Sequence, residues 1–193
     1  MDAAGRPWRL FIALPLPGEA AAAVVEGLEP ARARFPAAHW IGVDALHVTL
    51  VFLGSTDPDR APAIARSIDA VAGGQRAIEV QLGGGGGRER GGGEGVAWLS
   101  VAQGGGETIR LAQLLAEAMI PLEVGDRSGP RRSPSAHVTV ARHAPPELIS
   151  DPAFHRPPDP SIAWLADRAF LFRSILEPKG ARYEVLHVAT LYV

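Results

Sequence analysis

Two tetrapeptides of the same pattern carry the residues best suited to chemistry. They are His47-Val48-Thr49-Leu50 and His137-Val138-Thr139-Val140. Two imidazoles titrate near neutrality, so one can serve as general base and the other as general acid on opposite sides of a phosphodiester. The threonine hydroxyls can donate hydrogen bonds to non-bridging phosphate oxygens, where charge rises in the transition state. We predict that both histidines are catalytic and that Thr49 and Thr139 bind substrate.

Both tetrapeptides lie in predicted strands, at 46–53 and 135–142. Side chains alternate along a strand, so the His and Thr of each tetrapeptide share one face and the two hydrophobic residues share the other. Each strand thus presents a polar pair to a cleft and an apolar pair to the core. The repeat suggests two similar lobes that place their polar pairs opposite each other.

The rest of the chain alternates between strand and helix patterns. Short apolar runs predict strands at 8–14, 77–82, 96–102, 162–176 and 182–192. Helical spacing of apolar residues predicts helices at 19–34, 57–71 and 108–119, with about one helical turn at 147–150. This alternation predicts an α+β or α/β fold with helices packed outside the sheets. A length of 193 residues fits one domain, or two small lobes that share a core.

The segment 83–95 stands out because nine of its 13 residues are glycine. Glycines supply no side chains for a core, and the charged residues among them favour contact with water. No Gly-Lys-Ser/Thr follows, and no helix begins there, so a phosphate-binding loop is disfavoured. We therefore predict a flexible hairpin loop over 83–95.

Composition limits the classes of ligand and site. The formal net charge is -2, so any contact with a polyanion must be local. A local excess of arginine occurs between residues 126 and 143, where Arg127, Arg131, Arg132 and Arg142 accompany Asp126. We predict that Arg132 and Arg142 bind substrate. Strict alternation places Arg142 on the face opposite His137, so its side chain reaches the histidine face only if the strand ends or bulges there. The chain has no cysteine, which excludes disulfides and thiolate ligands.

Other histidines and aromatic residues have a weaker signal. The remaining histidines form no recognisable metal site, and we interpret them as structural: His39, His143, His155 and His187. Aromatic rings can stack on unpaired bases. We predict Trp40 and Tyr183 as candidates for that contact, and we expect Phe11 and Phe52 to pack in the core.

The tetrapeptides and their flanks resemble the 2H phosphoesterase superfamily, specifically the RNA 2′,3′-cyclic phosphodiesterase family, also called 2′-5′ RNA ligase or LigT-like. The similar stretches are 9–14, 46–54, 96–101, 137–142, 174–176 and 180–185. The segment before the second motif departs from the family pattern, because Ala136 replaces the usual proline. The glycine-rich segment also replaces a loop that usually carries an aromatic residue.

The resemblance implies a bilobal fold in which two antiparallel sheets form a central groove. It also implies metal-free hydrolysis of RNA 2′,3′-cyclic phosphate ends to 2′-phosphomonoesters, with possible 2′-5′ ligation as the reverse reaction. In such a mechanism Arg142 supports phosphate handling, His47 is the general acid and His137 is the general base. No cofactor is expected.

Two other functions fit the same residues. One is a module that binds RNA ends without turnover, and the other is a related enzyme for 2′-5′ oligonucleotides or other cyclic nucleotides. Retention of both complete tetrapeptides favours catalysis. No apolar run reaches the ~18 residues of a membrane span, so we expect a cytoplasmic protein without a membrane partner. Nothing in the sequence suggests an obligate dimer, and we expect a monomer.

Overall fold

The computed structural model of the chain describes residues 6–90, 94–125, 129–177 and 180–193. Its strands are β1 (Trp8–Pro15), β2 (His39–Trp40), β3 (His47–Thr56), β4 (Ile78–Arg90), β5 (Glu94–Gln103), β6 (Arg131–Arg132), β7 (His137–Ala144), β8 (Ala163–Ala166), β9 (Arg168–Glu177) and β10 (Gly180–Thr190). Its helices are α1 (Gly18–Gly27), α2 (Glu29–Arg34), α3 (Ala61–Ala72), α4 (Gly105–Met119) and α5 (Pro146–Ile149). No helix of the described residues is long and apolar enough to cross a membrane.

The strands form two antiparallel halves of four strands each. One half has the order β10-β9-β1-β3, and the other has the order β7-β5-β4-β8. β3 and β7 meet only at Val48 and Val138 in the described ladder, so the strands that carry the two tetrapeptides face each other where the halves join. This arrangement confirms the predicted α+β, bilobal class with a groove between two antiparallel sheets.

Two short strands cross between the halves. β2 precedes the first tetrapeptide but pairs with β7, and β6 precedes the second tetrapeptide but pairs with β3. The segment leading to each histidine therefore forms part of the wall around the other one. Neither short strand was predicted, because a run of two residues has no periodicity to detect.

The main core lies between the sheets and the helices. Along β1, Leu10, Ile12 and Leu14 belong to this core, while Phe11 and Ala13 join a smaller cluster on the opposite face. The helix α3 contributes Ile64, Ile68 and Ala72, all fully buried. Their spacing of four residues places them on one helical face.

β3 and β7 share an irregularity near the end of each tetrapeptide. Ile12 pairs with Val51 and Ala13 with Thr49, so Leu50 has no partner in β1. Likewise, Ala97 pairs with Ala141 and Trp98 with Thr139, so Val140 has no partner in β5. Each is a β-bulge, which reverses the alternation of side chains beyond it. A later position of each strand is thereby turned toward the groove.

The predicted flexible loop at 83–95 is wrong for the described residues of that segment. Residues 83–90 continue β4, and 94–95 begin β5; residues 91–93 lie outside the described residues. The glycines are needed because another segment packs directly on the strand backbone. A Cβ at Gly85 would collide with Phe154, and one at Gly87 would lie 2.7 Å from Ile149. The Gly85 amide also donates a 2.9 Å hydrogen bond to the Phe154 carbonyl.

Several element boundaries also differ from the predicted ones. The helix predicted at 19–34 is two helices, α1 and α2, separated at Leu28. The strand predicted at 162–176 is divided into β8 and β9 at Asp167. The other predicted strands and helices occur, with ends displaced by a few residues.

Candidate active site

A cavity of about 160 Å³ lies over the junction of the two halves. It is lined by both histidines and both threonines of the tetrapeptides, together with Arg142 and Tyr183. The remaining lining residues are Arg9, Leu10, Phe11, Ile41, Ala45, Phe52, Gly54, Arg131 and Ser174. Six of the eight predicted site residues therefore meet in one cavity.

The two histidine rings are held in the same way. Nδ1 of His47 lies 2.7 Å from the carbonyl oxygen of Ala45, and Nδ1 of His137 lies 3.0 Å from that of Ser135. A carbonyl oxygen can only accept, so each Nδ1 carries the proton and donates it. The other nitrogen, Nε2, is thus the one available for proton transfer, and it has no protein partner among the described residues.

Burial keeps both rings neutral in the free protein. Desolvation lowers the pKa of His47 to about 4, and the charge of Arg142 and the proximity of His137 also lower it, against the effect of the Ala45 hydrogen bond. Desolvation also lowers the pKa of His137. At pH 7 each Nε2 therefore presents a lone pair to the cavity.

The two rings have different aromatic surroundings. Around His47, the ring centroids of Phe11 and Tyr183 lie at 5.0 Å and 5.3 Å, and that of Phe172 lies at 6.4 Å. His137 contacts only one aromatic ring in the described structure, that of Trp98, at 5.4 Å. The richer apolar packing around His47 agrees with its strongly lowered pKa.

Arg142 reaches the cavity because of the bulge in β7. Val140 and Ala141 are both buried, and Arg142 then points to the histidine face. The strand therefore bulges before Arg142, as it must for this side chain to reach the histidine face. The charge of Arg142 lowers the pKa of His47, which agrees with the position of both side chains in the wall of one cavity.

The arginine excess before His137 is distributed differently from the prediction. Arg131 lines the cavity, whereas Arg132, the predicted substrate ligand, is exposed and is not among the lining residues. Neighbouring residues of a strand face opposite ways, and Arg131 is the one that pairs with Phe52. The structure therefore places Arg131, and not the predicted Arg132, at the cavity wall. Arg127 lies outside the described residues.

Two aromatic predictions are also corrected. Trp40 is not among the cavity-lining residues; its indole Nε1 donates to the Phe35 carbonyl at 3.1 Å, and its ring packs against the main core. Phe52, expected in the core, is 46% exposed and lines the cavity because the bulge in β3 turns it there. Trp98 was missed as a neighbour of His137, because its position depends on cross-strand pairing with Thr139.

The described residues contain no group of three or more His, Cys, Asp or Glu side chains that could hold a metal ion. Of the four histidines interpreted as structural, His187 forms a 2.7 Å hydrogen bond with Asp69 through Nε2, and Nε2 of His155 lies 2.6 Å from the Ile149 carbonyl oxygen. His39 lies directly across from Arg142 in the β2–β7 pair.

Sequence comparison relates the chain to a known protein superfamily. A model of the 2′-5′ RNA ligase superfamily matches residues 16–175. An RNA 2′,3′-cyclic phosphodiesterase from Geobacillus stearothermophilus is 29% identical over 180 residues, which is 91% of this chain and 55% of that protein. The chain thus spans about half the length of this curated relative.

Solved structures show the same fold along almost the whole chain. E. coli LigT in its apo form is 24% identical with a TM-score of 0.77, covering 97% of this chain and 99% of LigT. LigT complexed with 3′-AMP is 24% identical with a TM-score of 0.75, covering 96% and 98%. A protein from Thermus thermophilus is 27% identical with a TM-score of 0.73, covering 95% and 97%.

Proposed function

Because this chain belongs to the 2′-5′ RNA ligase superfamily, we propose that it hydrolyses 2′,3′-cyclic phosphates at RNA ends to 2′-phosphomonoesters. The observation that carries the proposal is the pair of imidazoles in one cavity, each with Nδ1 bound to a backbone carbonyl and Nε2 available. The name and sequence identity of the Geobacillus relative support the same substrate class.

The two histidines divide the proton transfers. Water attacks phosphorus opposite the 3′ oxygen, so one imidazole must remove a proton from water while the other protonates the leaving oxygen. By family resemblance, His137 removes the proton from water and His47 protonates the 3′ oxygen. His47 must first acquire a proton, since its pKa of about 4 leaves it neutral in the free protein.

The other polar groups of the cavity act on the phosphate. Thr49 and Thr139 lie on the same strand faces as their histidines, and their hydroxyls can donate to the non-bridging oxygens. Arg142 adds a fixed positive charge beside them. None of these steps requires a metal ion. With a 5′-hydroxyl in place of water as the nucleophile, the same groups form a P–O5′ bond, break the P–O3′ bond and leave the 2′-5′ diester implied by the family name.

A binding module without turnover is the competing function. The state of His137 argues against it, because a site that only holds a phosphate gains from a donor at Nε2, whereas burial favours the neutral form of this ring, which presents an acceptor there. Hydrolysis needs one such acceptor to activate water. The choice among RNA ends, 2′-5′ oligonucleotides and cyclic nucleotides depends on the substrate comparison below.

The test is incubation of chelator-treated protein with an RNA oligonucleotide ending in a 2′,3′-cyclic phosphate. The expected product is the 2′-phosphate isomer, and a 2′-5′ linked oligonucleotide and a 3′,5′-cyclic nucleotide are run beside it. His47→Ala and His137→Ala should each lower kcat by roughly 10²-fold or more. His155→Ala, outside the cavity, serves as the control.

An activated aryl phosphodiester separates the two roles. Its leaving group needs no proton, so it should restore activity to His47→Ala and not to His137→Ala. Restoration of the other variant would reverse the assignment. Full activity of either variant on RNA would refute paired-histidine catalysis.

A further inference from the structure

The cavity extends beyond the tetrapeptides to a second set of polar and aromatic side chains. This set, called here the distal subsite, consists of Arg9, Phe52, Arg131 and Ser174. None of these residues has a role in the proton transfers or in the handling of the reacting phosphate. Their chemistry therefore needs a separate explanation.

Strand pairing brings the four residues to one face. Phe52 lies between Phe11 of β1 and Arg131 of β6, and Ser174 lies across from Arg9. Arg9 precedes Phe11 by two residues, so both point to the groove. With a strand spacing of ~4.8 Å and a rise of ~3.3 Å per residue, the Cα atoms of Arg9 and Arg131 are roughly 12 Å apart. Two arginine side chains can reach one anion across that distance.

Both arginines of the distal subsite are exposed and form no ion pair with any described carboxylate. Elsewhere in the chain arginines do pair, as Arg34 with Asp151 and Arg182 with Glu177. An arginine guanidinium binds phosphate through a planar pair of N–H donors. Two unpaired guanidinium groups beside one cavity therefore favour a phosphate ligand.

This anion is distinct from the reacting phosphate. Thr49 marks the reaction centre, and Phe52 lies three residues further along β3. The bulge at Leu50 takes up one of these residues, so the two positions are separated by roughly 7 Å of strand. The exposed ring of Phe52 fills the interval and offers an apolar surface to a sugar or base. A ligand that reaches both ends must carry a second phosphate on the same nucleotide.

We infer that the distal subsite binds the phosphate on the 5′ oxygen of the ribose that carries the cyclic phosphate. This inference rests on the proposed function and narrows its substrate class to ends bearing a 5′-linked phosphate. The phosphate can be a diester, as in an RNA strand, or a monoester, as in a 5′-phosphorylated nucleotide. A nucleoside cyclic phosphate without it uses only part of the cavity.

The test measures equilibrium binding of product analogues, so that it does not depend on turnover. The probes are adenosine 2′-phosphate, adenosine 2′,5′-bisphosphate and a dinucleotide ending in a 2′-phosphate. The bisphosphate should bind roughly tenfold tighter than the monophosphate, since a hydrogen bond to a charged group contributes about that factor. A similar gain for the dinucleotide would identify the diester as a sufficient source, and its absence would restrict the subsite to 5′-monoesters.

Two variants locate the effect. Arg131→Gln should reduce the ratio of the two dissociation constants toward one, while Arg132→Gln, the adjacent residue outside the cavity, should preserve it. Equal dissociation constants of the wild type for the monophosphate and the bisphosphate would overturn the inference. An equal fall of the ratio in both variants would also overturn it, because a general charge effect does not distinguish neighbouring arginines. Failure of hydrolysis with the binding difference intact would instead refute only the proposed function.

Discussion

Binding of a phosphate should return a proton to His47. In the free protein the pKa of this residue is about 4, so about one molecule in a thousand carries the proton at pH 7. A phosphate charge ~4 Å from the ring stabilises the imidazolium by about 4 kcal/mol at an effective dielectric constant of about 20. Since each ~1.4 kcal/mol changes an equilibrium tenfold, the protonated fraction should rise to about half.

Proton NMR of the imidazole ring measures this change directly. The ring Hε1 shift of His47 is followed from pH 4 to 8 with and without a nucleoside 2′-phosphate, and His47→Gln identifies the signal. Calorimetry in two buffers of different ionisation enthalpy provides a second measure, with uptake of about half a proton expected on binding at pH 7. Removal of a nearby positive charge in Arg142→Gln should raise the His47 pKa in the free protein, because Arg142 lowers it.

Two results would refute this reasoning. A His47 signal that titrates with its ordinary pKa in the free protein would contradict the desolvation that the aromatic neighbours impose. A signal that remains neutral at pH 7 in the complex would show that the phosphate does not approach the ring. His47 would then lack the proton that a general acid requires.

Stability, phosphate binding, backbone packing and metal dependence provide four further predictions. The folded pKa of His47 lies below its unfolded value of about 6.5, so its contribution to stability is complete above pH 6.5 and is lost as pH falls toward 4. Urea unfolding should show that the free energy of unfolding falls by about 3 kcal/mol over this range, and this fall should be absent in His47→Gln. Arg142→Gln should lower kcat/KM by tenfold or more on a cyclic phosphate, and an unchanged value would remove this residue from phosphate handling. Gly85→Ala should destabilise the fold by about 1–3 kcal/mol through collision with Phe154, whereas Gly27→Ala, where a Cβ meets nothing within 4 Å, should not; equal denaturant midpoints would contradict the packing argument. Activity should survive dialysis against EDTA, and recovery of a lost activity by a divalent ion would sink the metal-free mechanism.

Much of the site could be predicted because it is encoded in short local patterns. The repeated His-hydrophobic-Thr-hydrophobic pattern identified the two catalytic candidates, and the period of two placed each threonine beside its histidine. The alternation of strand and helix signals limited the fold to α+β or α/β, and the resemblance to the 2H phosphoesterases supplied the bilobal fold with its groove. These inferences use neighbouring residues only, so they need no knowledge of which strands pair.

The errors arose where tertiary pairing decides the outcome. The glycine-rich segment has no apolar period, but Phe154 and Ile149 pack on its backbone and hold it as a strand. Trp40 has the composition of a stacking residue, yet its indole bonds the Phe35 carbonyl. The choice between Arg131 and Arg132 depends on the register of β6 against β3, which sequence periodicity does not contain.

The two bulges show how a near-symmetric pair of strands forms a site with chemically different ends. Beyond each threonine, the bulge turns the fifth residue after the histidine toward the groove, and this residue is Phe52 in β3 and Arg142 in β7. The same backbone device thus supplies an apolar ring on one side and a positive charge on the other. Under the proposed function, a reacting phosphate near Arg142 leaves the Phe52 ring to contact the sugar or base of the nucleotide. The shared geometry sets where the histidines stand, and the unlike residues at the fifth position give the groove one apolar end and one charged end.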